Sequence, residues 1–228
     1  MINYPIVQSP SVIQTLGFDI LASGRRKKTG ASELVIYSRV LRLGLIDLRE
    51  DVCLKIDGHR YEPDLAYIDR KRGIYIDIEI DEPYTGIERP THYLTKNGSH
   101  KDFFRNEKFV NAGWYVLRFT ERQMFCETKA CMKVVYDLLL SLNAIDTIPA
   151  SLKNVSSLQL EPAWTAEESK QRSLQRYRKT YLGYEPIHMD FSSNLKCCIL
   201  IVPIIFQSLT NVKVRKMLVK QLKNHFLK

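Results

Sequence analysis

Apolar positions recur with a helical period between Ser32 and Gly44, and this pattern predicts the first helix of the chain. From Val52 to Asp81 the pattern changes to a two-residue alternation, which is typical of strands. Two turn sequences, Asp57-Gly58 and 69–73, divide this region, so we expect a three-stranded antiparallel meander. The predicted strands cover 52–56, 60–68 and 74–81.

The chain after the meander is predicted to form a loop, a helix, a strand and a long helix. Residues 82–99 contain prolines and glycines without an apolar period, which indicates the loop. The first helix covers 100–112, the strand covers 114–119, and the long helix runs from its Thr120 cap to Leu142. Four side chains of the first helix are expected to face the core: Phe103, Phe104, Phe109 and Val110. This order of elements predicts an α/β fold with a mixed sheet flanked by helices.

Changes in composition divide the chain into four predicted segments. An N-terminal arm, 1–30, is weakly patterned and ends in a basic run. The core covers 31–143, and a proline- and serine-containing linker covers 144–163. A basic helical C-terminal extension covers 164–228 and has no acidic residue after Asp190.

The overall composition is that of a globular protein. Of the 228 residues, 45% are hydrophobic and 26% are charged, which excludes a mainly disordered chain and a collagen-like repeat. A net charge of +9 favours a polyanionic partner such as nucleic acid. The five cysteines include no CxxC pair, so neither a zinc knuckle nor a disulfide framework is predicted.

No membrane partner is predicted from the apolar segments. The longest apolar run, 197–206, is shorter than the roughly 20 residues of a spanning helix, and Pro203 interrupts it. The first residues do not have the pattern of a signal peptide. We therefore expect a cytoplasmic protein with reduced thiols.

Acidic residues alternate with isoleucines at the end of the third predicted strand. Asp77, Glu79 and Asp81 share one face of this strand, while the isoleucines share the core face. Asp64 precedes Glu79 with fourteen residues between them, and a hairpin would bring it beside the acidic face. Carboxylate oxygens are natural Mg²⁺ ligands, so the segment predicts a metal site that activates water at a phosphate. The alternative is an ordinary strand with a solvated acidic face.

Two sequence blocks resemble the PD-(D/E)XK nuclease superfamily. The first is Pro63-Asp64, followed after fourteen residues by Glu79-Ile80-Asp81. The second joins Asp102-Phe103-Phe104-Arg105 to the segment 113–119, and it is similar to the very-short-patch-repair and restriction-endonuclease-like branch. The resemblance extends over 31–142. It implies a restriction-endonuclease-like core and a metal-dependent endonuclease that acts on DNA in restriction, repair, mobile-element or anti-phage functions. The alternative is a non-catalytic nuclease-fold protein that binds DNA or a nucleoprotein complex.

The resemblance also implies a set of metal ligands for Mg²⁺ or Mn²⁺. Asp64 and Glu79 would provide carboxylates, and Ile80 would provide its carbonyl oxygen. Glu33, on the first helix, matches a position where related nucleases often have a glutamate at the metal site.

Asp81 departs from the superfamily, because a lysine usually occupies its position. It could bind a second metal or accept a proton from the attacking water, since it cannot donate to phosphate as an ammonium does. Alternatively, Asp77 and Glu79 form the functional pair and Asp81 is peripheral. His92, in the long loop, could act as a general acid or contact phosphate.

Several basic residues are candidates for nucleic-acid contacts. Arg105 and Arg118 could bind phosphate oxygens, or they could form structural ion pairs with Asp102 or Glu121. Two basic turns are predicted to contact the DNA backbone through Arg25, Arg26, Lys27, Lys28, Arg70, Lys71 and Arg72. The resemblance makes a homodimer or a larger defence or repair complex an expected assembly, and the sequence gives no dimer surface.

Overall fold

A computed structural model describes residues 2–11, 14–21, 31–44 and 48–184 of the chain. The residues from Met1 to Pro186 belong to one compact unit. The predicted basic run from Arg25 to Lys28 and the segment 185–228 lie outside the described residues. The domain limits that we derived from composition stay predictions.

Nine strands and seven helices occupy the described residues. The strands are β1 (Asn3–Tyr4), β2 (Ile6–Gln8), β3 (Phe18–Leu21), β4 (Cys53–Ile56), β5 (His59–Tyr61), β6 (Leu65–Asp69), β7 (Ile74–Asp81), β8 (Tyr115–Thr120) and β9 (Glu161–Pro162). The helices are α1 (Ala31–Leu43), α2 (Phe103–Asn111), α3 (Glu121–Cys126), α4 (Thr128–Ser141), α5 (Ala150–Lys153), α6 (Ala166–Leu174) and α7 (Tyr177–Leu182).

A mixed four-stranded sheet forms the centre of the fold, in the order β2-β8-β7-β6. The pair β7–β8 is parallel, and the other two pairs are antiparallel. A second, antiparallel sheet has the order β3-β4-β5, and β1 pairs with β9. The predicted α/β class with a mixed sheet and flanking helices is therefore confirmed.

The predicted three-stranded meander is wrong, because the expected strand over 60–68 is two strands in different sheets. β5 ends at Tyr61 and pairs with β4, whereas β6 begins at Leu65 and pairs with β7. Pro63 lies between them and has no N–H to donate to a strand ladder. The region therefore forms two separate hairpins, and only the second contributes to the central sheet.

One predicted helix and the predicted linker also differ from the structure. Thr120 begins α3 through a capping box, in which its hydroxyl accepts from the N–H of Gln123 at 3.0 Å. The expected long helix is divided at Glu127 into α3 and α4. The region 144–163, predicted to be a linker, contains the helix α5 and the strand β9.

The isoleucine face of β7 is the core face, as predicted. Ile76, Ile78 and Ile80 are buried against α1, α3 and α4. On the opposite side of the central sheet, Trp114 and Phe109 pack with apolar residues of β4. Among the described residues, no helix has the length and apolarity that crossing a bilayer requires.

Candidate active site

The β6–β7 hairpin brings Asp64 and Glu79 together at its open end. Leu65 pairs with Ile78, so Asp64 lies opposite Glu79. The N–H of Asp64 donates to Oε1 of Glu79 at 3.3 Å, and Oδ2 of Asp64 accepts from the N–H of Ile80 at 2.7 Å. The spacing in the sequence therefore predicted this juxtaposition correctly.

The acidic face of β7 is buried. Asp77 and Asp81 have no exposed surface, and Glu79 is 8% exposed. Arginines on α2 and β8 contact this face, which removes it from solvent. The alternative of an ordinary solvated strand is therefore wrong.

Arg105, on α2, contacts two of these acids. Its Nη1 donates to Oδ2 of Asp77 at 2.7 Å, and its Nη2 donates to Oε1 of Glu79 at 2.6 Å. Burial raises the pKa of Glu79 to about 7, although Arg105 acts in the opposite direction. The neighbouring Asp77 carboxylate adds to the rise. Because one guanidinium is shared by two carboxylates, the negative charge of Glu79 is only partly neutralised.

Arg118, on β8, binds Asp81 through two hydrogen bonds. Its Nε donates to Oδ2 at 2.8 Å, and its Nη2 donates to Oδ1 at 2.6 Å. Nη1 donates to Asn106, and Nη2 also reaches Oδ2 of Asp102 at 3.0 Å. Burial alone would raise the pKa of Asp81, but Arg118 outweighs it and lowers that pKa. Asp81 is therefore the partner of a buried arginine.

His92 joins the Asp81 ion pair from the long loop. Together with Asp81 and Asp102 it places three ligand atoms within 4.8 Å of one another, an arrangement that could hold a metal ion. However, Nη2 of Arg118 lies 2.6 Å, 3.0 Å and 3.1 Å from atoms of Asp81, Asp102 and His92. The guanidinium therefore already lies among these ligand atoms.

The charge state of His92 supports the same conclusion. Burial would lower its pKa, but Asp81 and Asp102 outweigh burial and raise the pKa to about 10. Nδ1 of His92 lies 2.7 Å from Oδ2 of Asp102. Two cationic groups, His92 and Arg118, thus offset two carboxylates. We conclude that this group is a closed ion-pair network.

Glu82 is a site residue that the sequence analysis missed, because it was assigned only to a loop. Its Oε2 lies 3.9 Å from Nε2 of His92. Burial raises the pKa of Glu82 to about 7, His92 opposes this rise, and the Asp64 carboxylate adds to it. Glu82 therefore interacts with both Asp64 and His92. Its position directly after the acidic strand β7 is the sequence feature that could have indicated a role at the site.

The helices α6 and α7 hold the loop that carries Glu82 and His92. The hydroxyl of Ser169 donates to the carbonyl of Pro83, and Nε1 of Trp164 donates to the carbonyl of Thr91 at 3.0 Å. The N–H of Glu88 donates to the hydroxyl of Ser173 at 2.8 Å. These contacts join residues far apart in the chain, and no local pattern indicated them.

Arg178, on α7, fastens this loop to α3. Its Nε and Nη2 donate to Glu121 at 2.7 Å and 2.5 Å, and its Nη1 donates to the carbonyl of Tyr84 at 2.9 Å. Both ends of the Arg178–Glu121 pair are buried. Of the ion pairs proposed from the sequence, Arg118 with Asp102 is thus present, while Glu121 pairs with Arg178.

Two further predictions concern the basic turn, which lies away from the acidic face of β7, and Glu33, which stays untested. The turn of Arg70, Lys71 and Arg72 is exposed at the far end of the β6–β7 hairpin, about 20 Å from Asp64 for six residues at 3.3 Å each. Glu33 lies in the first turn of α1, and its role as a metal ligand stays a prediction.

Comparison with known proteins gives no relative for the chain. No protein-family model, no curated protein and no solved structure matches it. The resemblance to PD-(D/E)XK nucleases therefore rests on the sequence motifs alone.

Proposed function

We propose that the protein is a metal-dependent endonuclease with a restriction-endonuclease-like core, and that it hydrolyses phosphodiester bonds of DNA. The observation that carries this proposal is the meeting of Asp64 and Glu79 at the open end of one hairpin. A cytoplasmic location, a homodimer, and a role in restriction, repair, mobile elements or phage defence remain predictions.

The chemistry of the donor set supports Mg²⁺ or Mn²⁺ as the cofactor. The Asp64 and Glu79 carboxylates and the Ile80 carbonyl offer oxygen ligands, which these hard cations prefer. The raised pKa of Glu79, about 7, indicates that a nearby positive charge would be favourable. When bound, the cation would lower the pKa of a water ligand and offset charge on the phosphate.

Arg105 and His92 are the residues that we assign to the substrate. Arg105 is partly accessible, and its guanidinium could turn from Glu79 to a phosphate oxygen. It would then act as the cationic donor to phosphate, a role that the carboxylate of Asp81 cannot fill. His92 is cationic at neutral pH, and Asp102 holds its Nδ1 at 2.7 Å. Its Nε2 is then the atom that could give a proton to the leaving oxygen.

Cleavage of labelled nucleic acids tests the proposal. Wild-type protein is compared with Glu79→Gln in Mg²⁺, Mn²⁺ and chelator, on duplex, single-stranded, mismatched and branched DNA and on RNA. Glu62→Gln is the matched control, because Glu62 is an exposed glutamate two residues before Asp64. We expect metal-dependent cutting by wild type and Glu62→Gln alone. Equal cutting by Glu79→Gln, or no cutting of any substrate, contradicts the proposal.

A second candidate is a non-catalytic nuclease-fold protein that binds DNA or a nucleoprotein complex. One observation favours it: the position usually held by lysine is Asp81, which is fixed in a buried pair with Arg118. Such a protein would bind DNA equally well in Mg²⁺ and in chelator, and Glu79→Gln would not change its affinity.

A further inference from the structure

An exposed aromatic pair lies at the start of α2, where the sequence analysis wrongly expected buried side chains. Phe104 is 79% exposed and Phe103 is 40% exposed. Their rings pack edge to face, with centroids 5.6 Å apart. Arg105 and Phe109 occupy the sheet-facing side of the helix, and helical geometry therefore turns Phe104 outward.

Two exposed lysines precede this pair in the chain, and they outnumber Glu107, the acid one helical turn after it. Lys96 lies at the tip of a turn closed by the Leu94–His100 bridge, and Lys101 lies two residues before α2. Neither lysine forms a salt bridge with an acid in the part of the chain that the structure describes. The carboxylate of Asp102 does not offset them, because it accepts a hydrogen bond from the buried Arg118.

We propose that Phe103 and Phe104 stack on unpaired bases of a single DNA strand while Lys96 and Lys101 contact its phosphates. Aromatic rings next to cations are the usual means of binding single strands. Bases within a duplex already stack on each other, so a ring can cover a base face there only by unstacking a base step, which costs free energy.

This inference rests on the proposed function, because it names the form of DNA that would reach the acidic residues. Phe104 adjoins Arg105 in the same helical turn, and Arg105 contacts Glu79 at 2.6 Å. A strand held on the aromatic pair would thus lie next to the helix that borders the Asp64–Glu79 pair. A second copy of the chain is the competing occupant of this surface.

Binding of a fluorescent oligothymidylate and of a blunt duplex, measured by anisotropy in chelator, tests the proposal. We expect Phe104→Ala to weaken oligothymidylate binding by about tenfold, the typical loss for one stacking ring. Duplex binding should change by less than about twofold, and Phe104→Trp should restore strand binding. Ile87→Ala is the matched control, because Ile87 is an equally exposed apolar residue at 78%.

Several results would overturn the proposal. One is unchanged strand binding in Phe104→Ala, and another is an equal loss in Ile87→Ala. A third is a wild-type protein that binds neither probe. If light scattering finds a dimer that Phe104→Ala dissociates while strand binding is unchanged, a second copy occupies the surface. Because binding is measured without metal, a missing nuclease activity would leave this test unaffected.

Discussion

The guanidinium of Arg105 lies 2.6 Å from the Glu79 carboxylate. Arg105 is the candidate phosphate contact and Glu79 is the candidate metal ligand, so these two candidates form an ion pair with each other. The same guanidinium binds Asp77. A divalent cation bound at Glu79 would therefore compete with Arg105 for one carboxylate. Release of Arg105 on cation binding would free its fork for the substrate.

Removal of Arg105 should make the protein more dependent on divalent cations. Arg105→Ala leaves two buried carboxylates without their countercharge, which we expect to cost about 3 kcal/mol of unfolding free energy. Mg²⁺ or Mn²⁺ should recover part of this loss. Urea unfolding with cation and with chelator measures both effects.

Arg72→Ala is the control for that experiment, because Arg72 forms an exposed pair with Asp69 at 2.8 Å. Exposed ion pairs contribute less than about 1 kcal/mol to the free energy of unfolding. The Arg72→Ala protein should therefore be about as stable as the wild type, and Mg²⁺ or Mn²⁺ should stabilise both proteins equally. If Mg²⁺ or Mn²⁺ stabilises Arg105→Ala by no more than it stabilises the wild type, then Arg105 and the cation do not compete for Glu79.

Replacing Asp81 by the lysine that is usual in PD-(D/E)XK nucleases should disrupt the fold locally and should not create or improve nuclease activity. Asp81→Lys places a second cation against the buried Arg118, and we expect a loss of more than about 3 kcal/mol. Asp81→Asn, which keeps the shape, should also lose stability. Asp51→Lys is the control, since Asp51 is exposed. A stable and more active Asp81→Lys protein would mean that Asp81 is an active-site position.

The Asp64–Glu79 contact could be predicted because it is local. A hairpin has one register, and the alternation of β7 determines which side chains share a face. Burial of the isoleucines on one face of β7 followed from the same alternation.

The partners of the acidic residues could not be predicted in the same way. Asp77 and Asp81 are equivalent in the strand pattern, yet α2 provides the arginine for one and β8 for the other. That choice depends on how a helix from later in the chain packs on the sheet. Glu82 and Arg178 were missed for the same reason, because long-range packing places them.

Stability should fall with rising pH through the titration of His92. The folded protein raises its pKa to about 10 from an ordinary value of 6.5. The stabilisation that charged His92 provides is fully present below pH 6.5. It is lost as the pH rises to about 10, and the free energy of unfolding falls by at most about 1.4 kcal/mol per pH unit. Urea unfolding across this range should give a shallower slope for His92→Gln than for wild type.

His59→Gln is the control for this pH dependence, since His59 is an exposed histidine on β5. Its slope should equal that of the wild type. Equal slopes for His92→Gln and wild type would mean that the ion-pair network does not hold His92 in its cationic form.

Loss of Arg178 should loosen the loop that carries Glu82 and His92. Arg178→Met leaves Glu121 buried without its countercharge, which we expect to cost about 3 kcal/mol. Amide hydrogen exchange should accelerate in the loop 83–91. Arg176→Ala, at an exposed position, should leave the exchange unchanged. Protection of the loop equal to that of the wild type would contradict its attachment through Arg178.

The most direct test of the account is a Mn²⁺ titration followed by electron paramagnetic resonance, because it distinguishes between the two groups of acids that could hold a cation. The proteins are wild type, Asp64→Asn, Glu79→Gln and Asp102→Asn, each confirmed as folded by its melting curve. We predict that Asp64→Asn and Glu79→Gln bind Mn²⁺ at least about tenfold more weakly, the usual cost of losing a ligand or its support. Asp102→Asn should bind as wild type. Loss of binding in Asp102→Asn alone would place the cation at Asp81, His92 and Asp102 and contradict the account.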